Sequence, residues 1–223
     1  MKRIRKAAKA TSVIIIAILT ALTLTILCAS EEERIEIAET VDNLSDQEEP
    51  ERQIDWDSLP AEVVAWVEVP GTSIDEPIAQ AMPDVPNAYL YRDVFGQGAY
   101  GTPYIDCECT IDSRFVMVYG HHMSDGTAFA EFADFIDEGF AREHSRIIVY
   151  KRSGDTLELM VYAVDIVNAS RERLVIDQEE GLEEIIGTPD LQLADTSDAS
   201  QLFAFTTCSY QTRNSRTVVY ATI

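Results

Sequence analysis

Histidine and cysteine are both scarce in this chain of 223 residues, with three of the first and four of the second. Cys107 and Cys109, in "YIDCECTID", are the only closely spaced pair. A zinc site there would need two further ligands that the surrounding sequence does not supply, and a bridge across a single residue would be strained. Glycine runs of the phosphate-cradling type are absent, which removes the nucleotide-binding loops. Internal repeats and low-complexity tracts are absent too, which removes solenoids and repeat arrays. Positive charge is in short supply over most of the chain. Five of the 17 Lys and Arg residues fall in the first 30 positions, so 12 remain against 39 Asp and Glu, a net of −27 beyond that point. A surface of that sign excludes nucleic acid and anionic lipid as partners and is compatible with a cationic or amine-bearing one.

Charge is missing altogether between residues 10 and 30, in "ATSVIIIAILTALTLTILCAS". A helix of that length rises about 30 Å at about 1.5 Å per residue, enough for a bilayer core. Lys2, Arg3, Arg5, Lys6 and Lys9 precede it and acids follow, which sets the amino terminus inside and the remainder outside. Leu27 stands where a cleavage site or a lipidated cysteine wants a small neighbour, so a retained anchor is expected. The expected organisation is therefore a basic tail and membrane signal-anchor over 1–30, an acidic stalk over 31–53, and one extracellular domain over 54–223. Three cysteines lie outside the membrane segment, an odd number in a compartment that permits disulfides, so at least one should stay a free thiol. Cys208, which sits alone, is the candidate.

Within the domain, alternating apolar residues predict short strands at 65–69, 74–80, 104–106, 115–119, 146–151, 157–166, 202–207 and 217–223. A helical turn or two is expected over 59–65, and helices over 128–136 and 178–186, the last ending at Gly187. Many strands with few helices indicate a closed or nearly closed β-barrel with helical insertions.

A cysteine nucleophile needs a partner that keeps it as thiolate and later protonates a leaving group, and histidine serves both roles. His121 and His122 follow Gly120 at the end of a predicted strand, well placed to face a groove, whereas His144 sits among charged residues as a solvated histidine would. Arg213 and Arg216 lie just past Cys208. If a turn around Asn214 joins two antiparallel strands, Arg216 opens the last strand beside Cys208, where a cation stabilises an oxyanion. Arg213 reads as a solvated turn residue.

These residues carry a resemblance. "TTCSY" and "SRTVVYA" resemble the signature of sortases, the cysteine transpeptidases of bacterial surfaces, and "VYGHHMSDGTAF" resembles the strand and loop holding their histidine. "IDWDSLPAEVVAWVEVPGTSIDEPIAQ" and "YLYRDVFGQGAYGTPYID" are similar to class B members in particular. The resemblance covers residues 54–223 and implies a mainly-β, eight-stranded sortase barrel. It further implies an N-terminal helix and a helix in the loop between strands six and seven. It implies His121, Cys208 and Arg216 as catalytic residues, and Leu90, Asn87, Thr206 and Thr207 at the substrate. Asn87 stands one residue after the family's groove asparagine, whose place Pro86 takes. The implied substrates are surface proteins with C-terminal sorting signals, cut after threonine. The acceptor would be an amine of a peptidoglycan precursor or a pilin lysine, with no metal or organic cofactor. Two alternatives stay open at this point, another cell-wall cysteine peptidase and an inactive barrel that scaffolds surface proteins.

Overall fold

Along β1 (Val63–Glu68), Val63, Ala65 and Val67 are buried while Val64, Trp66 and Glu68 are half-buried, the period of two that a strand demands. This corrects the helical expectation for 59–65, and no N-terminal α-helix precedes β1 among the described residues. A single 3-10 turn, Trp56–Ser58, precedes the strand instead. Pro60 biases Leu59 away from helical backbone, and the β-branched pair Val63 and Val64 favours extension. Arg152 fastens the segment by donating to the carbonyls of Pro60 at 2.8 Å, Val63 at 3.0 Å and Trp56 at 2.7 Å.

The computed structural model describes residues 52–96, 98, 100–169, 182–194, 199–209 and 214–223. Eight further strands follow β1: β2 (Asp75–Gln80), β3 (Tyr104–Ile105), β4 (Phe115–Gly120), β5 (Arg146–Lys151), β6 (Thr156–Asn168), β7 (Leu191–Gln192), β8 (Leu202–Ser209) and β9 (Ser215–Thr222). Their order is β5-β1-β2-β3-β4-β8-β9-β6, and β6 pairs back onto β5, so eight strands form a closed ring. The two-residue β7 lies outside the ring, paired to Ala163 and Val164 of β6. Length lets β6 serve two partners within the ring. Its first residues pair with β5 and the stretch from Met160 to Asn168 pairs with β9, with a register shift between Val161 and Ala163. The eight-stranded barrel is therefore present as expected.

The insertions differ in detail from expectation. Between β4 and β5 the chain forms a 3-10 helix, Ala130–Ile136, where a helix over 128–136 was expected, and then α1 (Glu138–Glu143), which the sequence reading did not include. Asp137 splits them, its carboxylate accepting from Phe140 N at 2.9 Å as an N-cap. The helix expected over 178–186 is α2 (Leu182–Ile186), with its first four expected residues outside the described set. Gly187 follows it with φ +66, a left-handed stop that glycine makes without strain.

The 3-10 helix matters to the site because of what it buries. Phe132 stacks on Phe205 of β8 at 5.2 Å between ring centroids, and Phe129 meets Phe132 edge-on at 4.8 Å. All three rings are fully buried, each contributing on the order of 1.5–3 kcal/mol of transfer free energy. They clamp β8 three residues before Cys208. Among the described residues no helix is long and apolar enough to cross a membrane. The expected anchor over 10–30 and almost all of the acidic stalk lie outside the described residues.

Candidate active site

Two ladders bring the scarce reactive residues together. β4 and β8 run parallel, pairing Tyr119 with Thr206 and Gly120 with Thr207, so His121 comes level with Cys208. On the other side β8 and β9 run antiparallel and Cys208 stands directly opposite Arg216. On β3, Tyr104 pairs with Tyr119, which extends the same surface one strand further. An open groove of about 290 Å³ runs over these strands and is lined by His121, Cys208 and Arg216.

The other expected residues meet at the same groove. Asn87 and Leu90, from the connection between β2 and β3, form part of its wall, and Pro86 does not. Thr206 shares the face of Cys208 along β8, and its hydroxyl donates to Met117 Sδ at 3.3 Å. Thr207 also borders the groove but points to the opposite face and is 1% exposed, packed across from Thr217. Sequence reasoning did not single out Thr102, Tyr104, Asp106 and Tyr119, which line the groove as well. The first three lie inside "YLYRDVFGQGAYGTPYID" and the last inside "FVMVYGHH", so segment similarity held the signal without resolving the residues. Burial pushes the Tyr104 phenol up to about 12 and raises Tyr119 further, helped by the Asp106 carboxylate. Both stay neutral donors at physiological pH.

The three described cysteines are free but differ. Cys109 is buried, its sulfur accepting from Met117 N at 3.4 Å, and burial pushes its thiol up to about 11. Cys107 is raised by desolvation and then by Asp106. Cys208 is half-buried at the groove.

His121 Nε2 donates to the Leu90 carbonyl. A carbonyl only accepts, so Nε2 carries hydrogen and Nδ1 is the ring nitrogen not engaged by that contact. The Leu90 carbonyl is itself tightly placed. A Cβ on Gly101 would lie 2.0 Å from Tyr89 O and 2.7 Å from Leu90 O, so only glycine lets the chain pass there. His122, which strand alternation would point away from His121, does not line the groove, yet its Nδ1 donates to the Cys208 carbonyl at 2.9 Å. His144 is a structural histidine more than a solvated one, with Nδ1 donating to Pro70 O at 3.1 Å and its ring 4.4 Å from Phe140. The turn expected around Asn214 is present, with Asn214 at φ +60. Arg216 donates to Ser215 O at 3.0 Å and Asn214 Oδ1 at 3.4 Å, both uncharged, which leaves its charge uncompensated by these contacts. Arg213 lies outside the described residues.

Gly120 explains how the histidine strand approaches the aromatic clamp. A Cβ there would come within 2.3 Å of the Phe129 ring, which is fully buried. Gly120→Ala is therefore expected to displace Phe129 or the end of β4, with an overpacking cost of about 1–3 kcal/mol. Thermal unfolding measures it, and an unchanged midpoint would mean that the ring moves aside freely.

The sortase domain family model matches residues 67–223. Sortase B of Listeria monocytogenes is 27% identical over 113 residues, 49% of this chain and 45% of that protein, so the match spans less than half of the relative's length. The X-ray structure of Clostridium perfringens sortase B has a TM-score of 0.61 and 26% identity, covering 72% of this chain and 93% of that one. A Staphylococcus aureus sortase B–substrate complex has the same fold, with a TM-score of 0.64 and 20% identity over 86% of this chain and 98% of that one. The ring of eight strands thus has its counterparts among class B sortase structures, and the chain belongs to the sortase family.

Proposed function

We propose that this chain is a membrane-anchored cysteine transpeptidase of class B type, with Cys208 as nucleophile, His121 as general acid and base, and Arg216 as oxyanion donor. The observation that carries the reading is the level arrangement of these three residues, just past the end of β4 and on β8 and β9, at one groove. The Cys208 thiolate attacks the carbonyl carbon of a threonine in a C-terminal sorting signal. Arg216 holds the negative charge that forms on the carbonyl oxygen. The C–N bond then breaks as His121 Nδ1–H passes its proton to the leaving amine, and a threonyl thioester remains. An incoming amine attacks the thioester, gives a proton back to His121 and expels the thiolate. Leu90, Asn87 and Thr206 wall the substrate channel beside the sulfur, with Thr207 beneath them.

The acceptor amine belongs to a peptidoglycan precursor or to a lysine of a pilin-type surface protein, and the strongly acidic surface suits a cationic amine. Retention of the uncharged segment over 10–30 as a single-pass anchor would hold the domain outside the cell, beside substrates tethered to the same bilayer. A papain-like reading loses support because it needs the cysteine on a helix, and Cys208 is on β8.

The test is a panel of peptides of the form Asn-Pro-x-Thr-Asn and with Thr-Gly endings, incubated with the full-length chain and read by mass spectrometry. Cleavage after threonine is expected, and added amine should shift the product from free acid to amide. Uncut peptides with Cys208 demonstrably reduced would favour the scaffold, and cleavage without any amide would make the enzyme a peptidase.

A further inference from the structure

We propose that His122 is a positioning residue for Cys208, acting through the hydrogen bond from its Nδ1 to the Cys208 carbonyl; the proposal rests on the reading of Cys208 as the nucleophile. The parallel ladder between β4 and β8 ends at Gly120 and Thr207, one residue short of Cys208. Beyond that point the chain of β4 leaves for a loop, closed by a backbone bridge between His122 and Ala128 and by Phe129 N donating to His121 O at 2.9 Å. Cys208 is then held by backbone pairing on its β9 side through Arg216, while its β4 side lies past the last ladder pair. The His122 side chain takes up the pairing there, 2.9 Å from the Cys208 oxygen.

The consequence follows from adjacency. Two consecutive histidines donate to two carbonyls, His121 to Leu90 and His122 to Cys208. One dipeptide therefore sets the imidazole that exchanges protons and the peptide group from which the sulfur projects. A shift at either contact moves the two reacting groups relative to each other, and a misplacement of about 1 Å costs on the order of 10²-fold in rate. Because the accepting atom is a carbonyl, the donor must sit at Nδ1. The amide nitrogen of asparagine occupies nearly that place, whereas that of glutamine lies nearer Nε2.

The experiment compares His122→Asn, His122→Gln and His122→Ala in the full-length chain. It reads the rate of Cys208 alkylation across pH, assigned by mass spectrometry against Cys107 and Cys109, together with kcat, KM and the thermal midpoint. Alanine and glutamine are expected to slow Cys208 alkylation and to lower kcat about tenfold, with KM within about twofold. Asparagine is expected to keep most of both. Asparagine behaving like alanine, or wild-type alkylation in all three variants, would overturn the proposal. So would losses that merely track a lowered midpoint, since those mark a structural role. If alanine does not fold, the contrast of asparagine with glutamine decides the same question. Alkylation that responds as expected while no peptide is ever cut leaves the positioning role standing and removes the transpeptidase reading.

Discussion

Cys208→Ala is expected to abolish both peptide cleavage and amide formation while leaving the barrel folded. The side chain is half-buried at the groove edge, and its removal opens no enclosed cavity in the aromatic clamp behind β8. His121→Ala should be equally silent in turnover, since no other described histidine lines the groove. A limiting thiol alkylator should label Cys208 ahead of the other two. Burial holds Cys109 as an un-ionised thiol up to about pH 11, and desolvation with the Asp106 carboxylate raises Cys107 as well. Preferential adducts on Cys107 or Cys109, with activity intact in Cys208→Ala, would reverse the assignment.

Arg216→Ala is expected to lower kcat by about 10²–10³, the usual loss when one oxyanion donor is removed. The thermal midpoint should barely move, because among the described residues the guanidinium hydrogen-bonds only to its own turn, at Ser215 O and Asn214 Oδ1. Arg216→Lys keeps the charge but loses the planar fork, so it should recover only part of the rate. Arg213→Ala serves as the control and should be nearly silent. Equal losses from both arginines would mean that the oxyanion is not met by the residue facing Cys208 across the ladder. Single-turnover measurement of thioester formation locates the loss in the first chemical step.

Much of the barrel is legible as alternation. The strand expected over 146–151 is β5, and those over 74–80, 115–119 and 202–207 fall on β2, β4 and β8 to within a residue or two. What failed was local and cooperative. At 59–65, the helical spacing of Leu59 and Val63 was outweighed by Pro60 and by the pairing of β1 with both β2 and β5. At 128–136 the expected helix is present as a 3-10 helix, but the separate short helix that Asp137 caps, Glu138–Glu143, was not anticipated. The site was legible as residue types in a recognisable order. Its geometry was not, because the parallel register of β4 with β8 joins segments 87 positions apart and no local pattern encodes that pairing. The same gap hid the contact of His122 with Cys208, since period-two reasoning gives the direction of a side chain only while the strand continues.

The ladder order also governs when this chemistry comes into being. β8 and β9 follow every other strand in the chain, yet they occupy the middle of the ring, between β4 and β6. Until they insert, β4 and β6 present unpaired edges and the sulfur has neither its histidine nor its arginine beside it. Cys208 and Arg216 lie on β8 and β9 and His121 just past the end of β4, so no smaller folding unit assembles them. An incompletely folded copy consequently carries an ordinary thiol, unable to form a thioester with whatever peptide it meets. Reactivity is acquired at the moment the ring closes, and non-local pairing of this kind is the slow part of β folding. Under the proposed assignment of Cys208, the topology thereby withholds a competent nucleophile from immature protein.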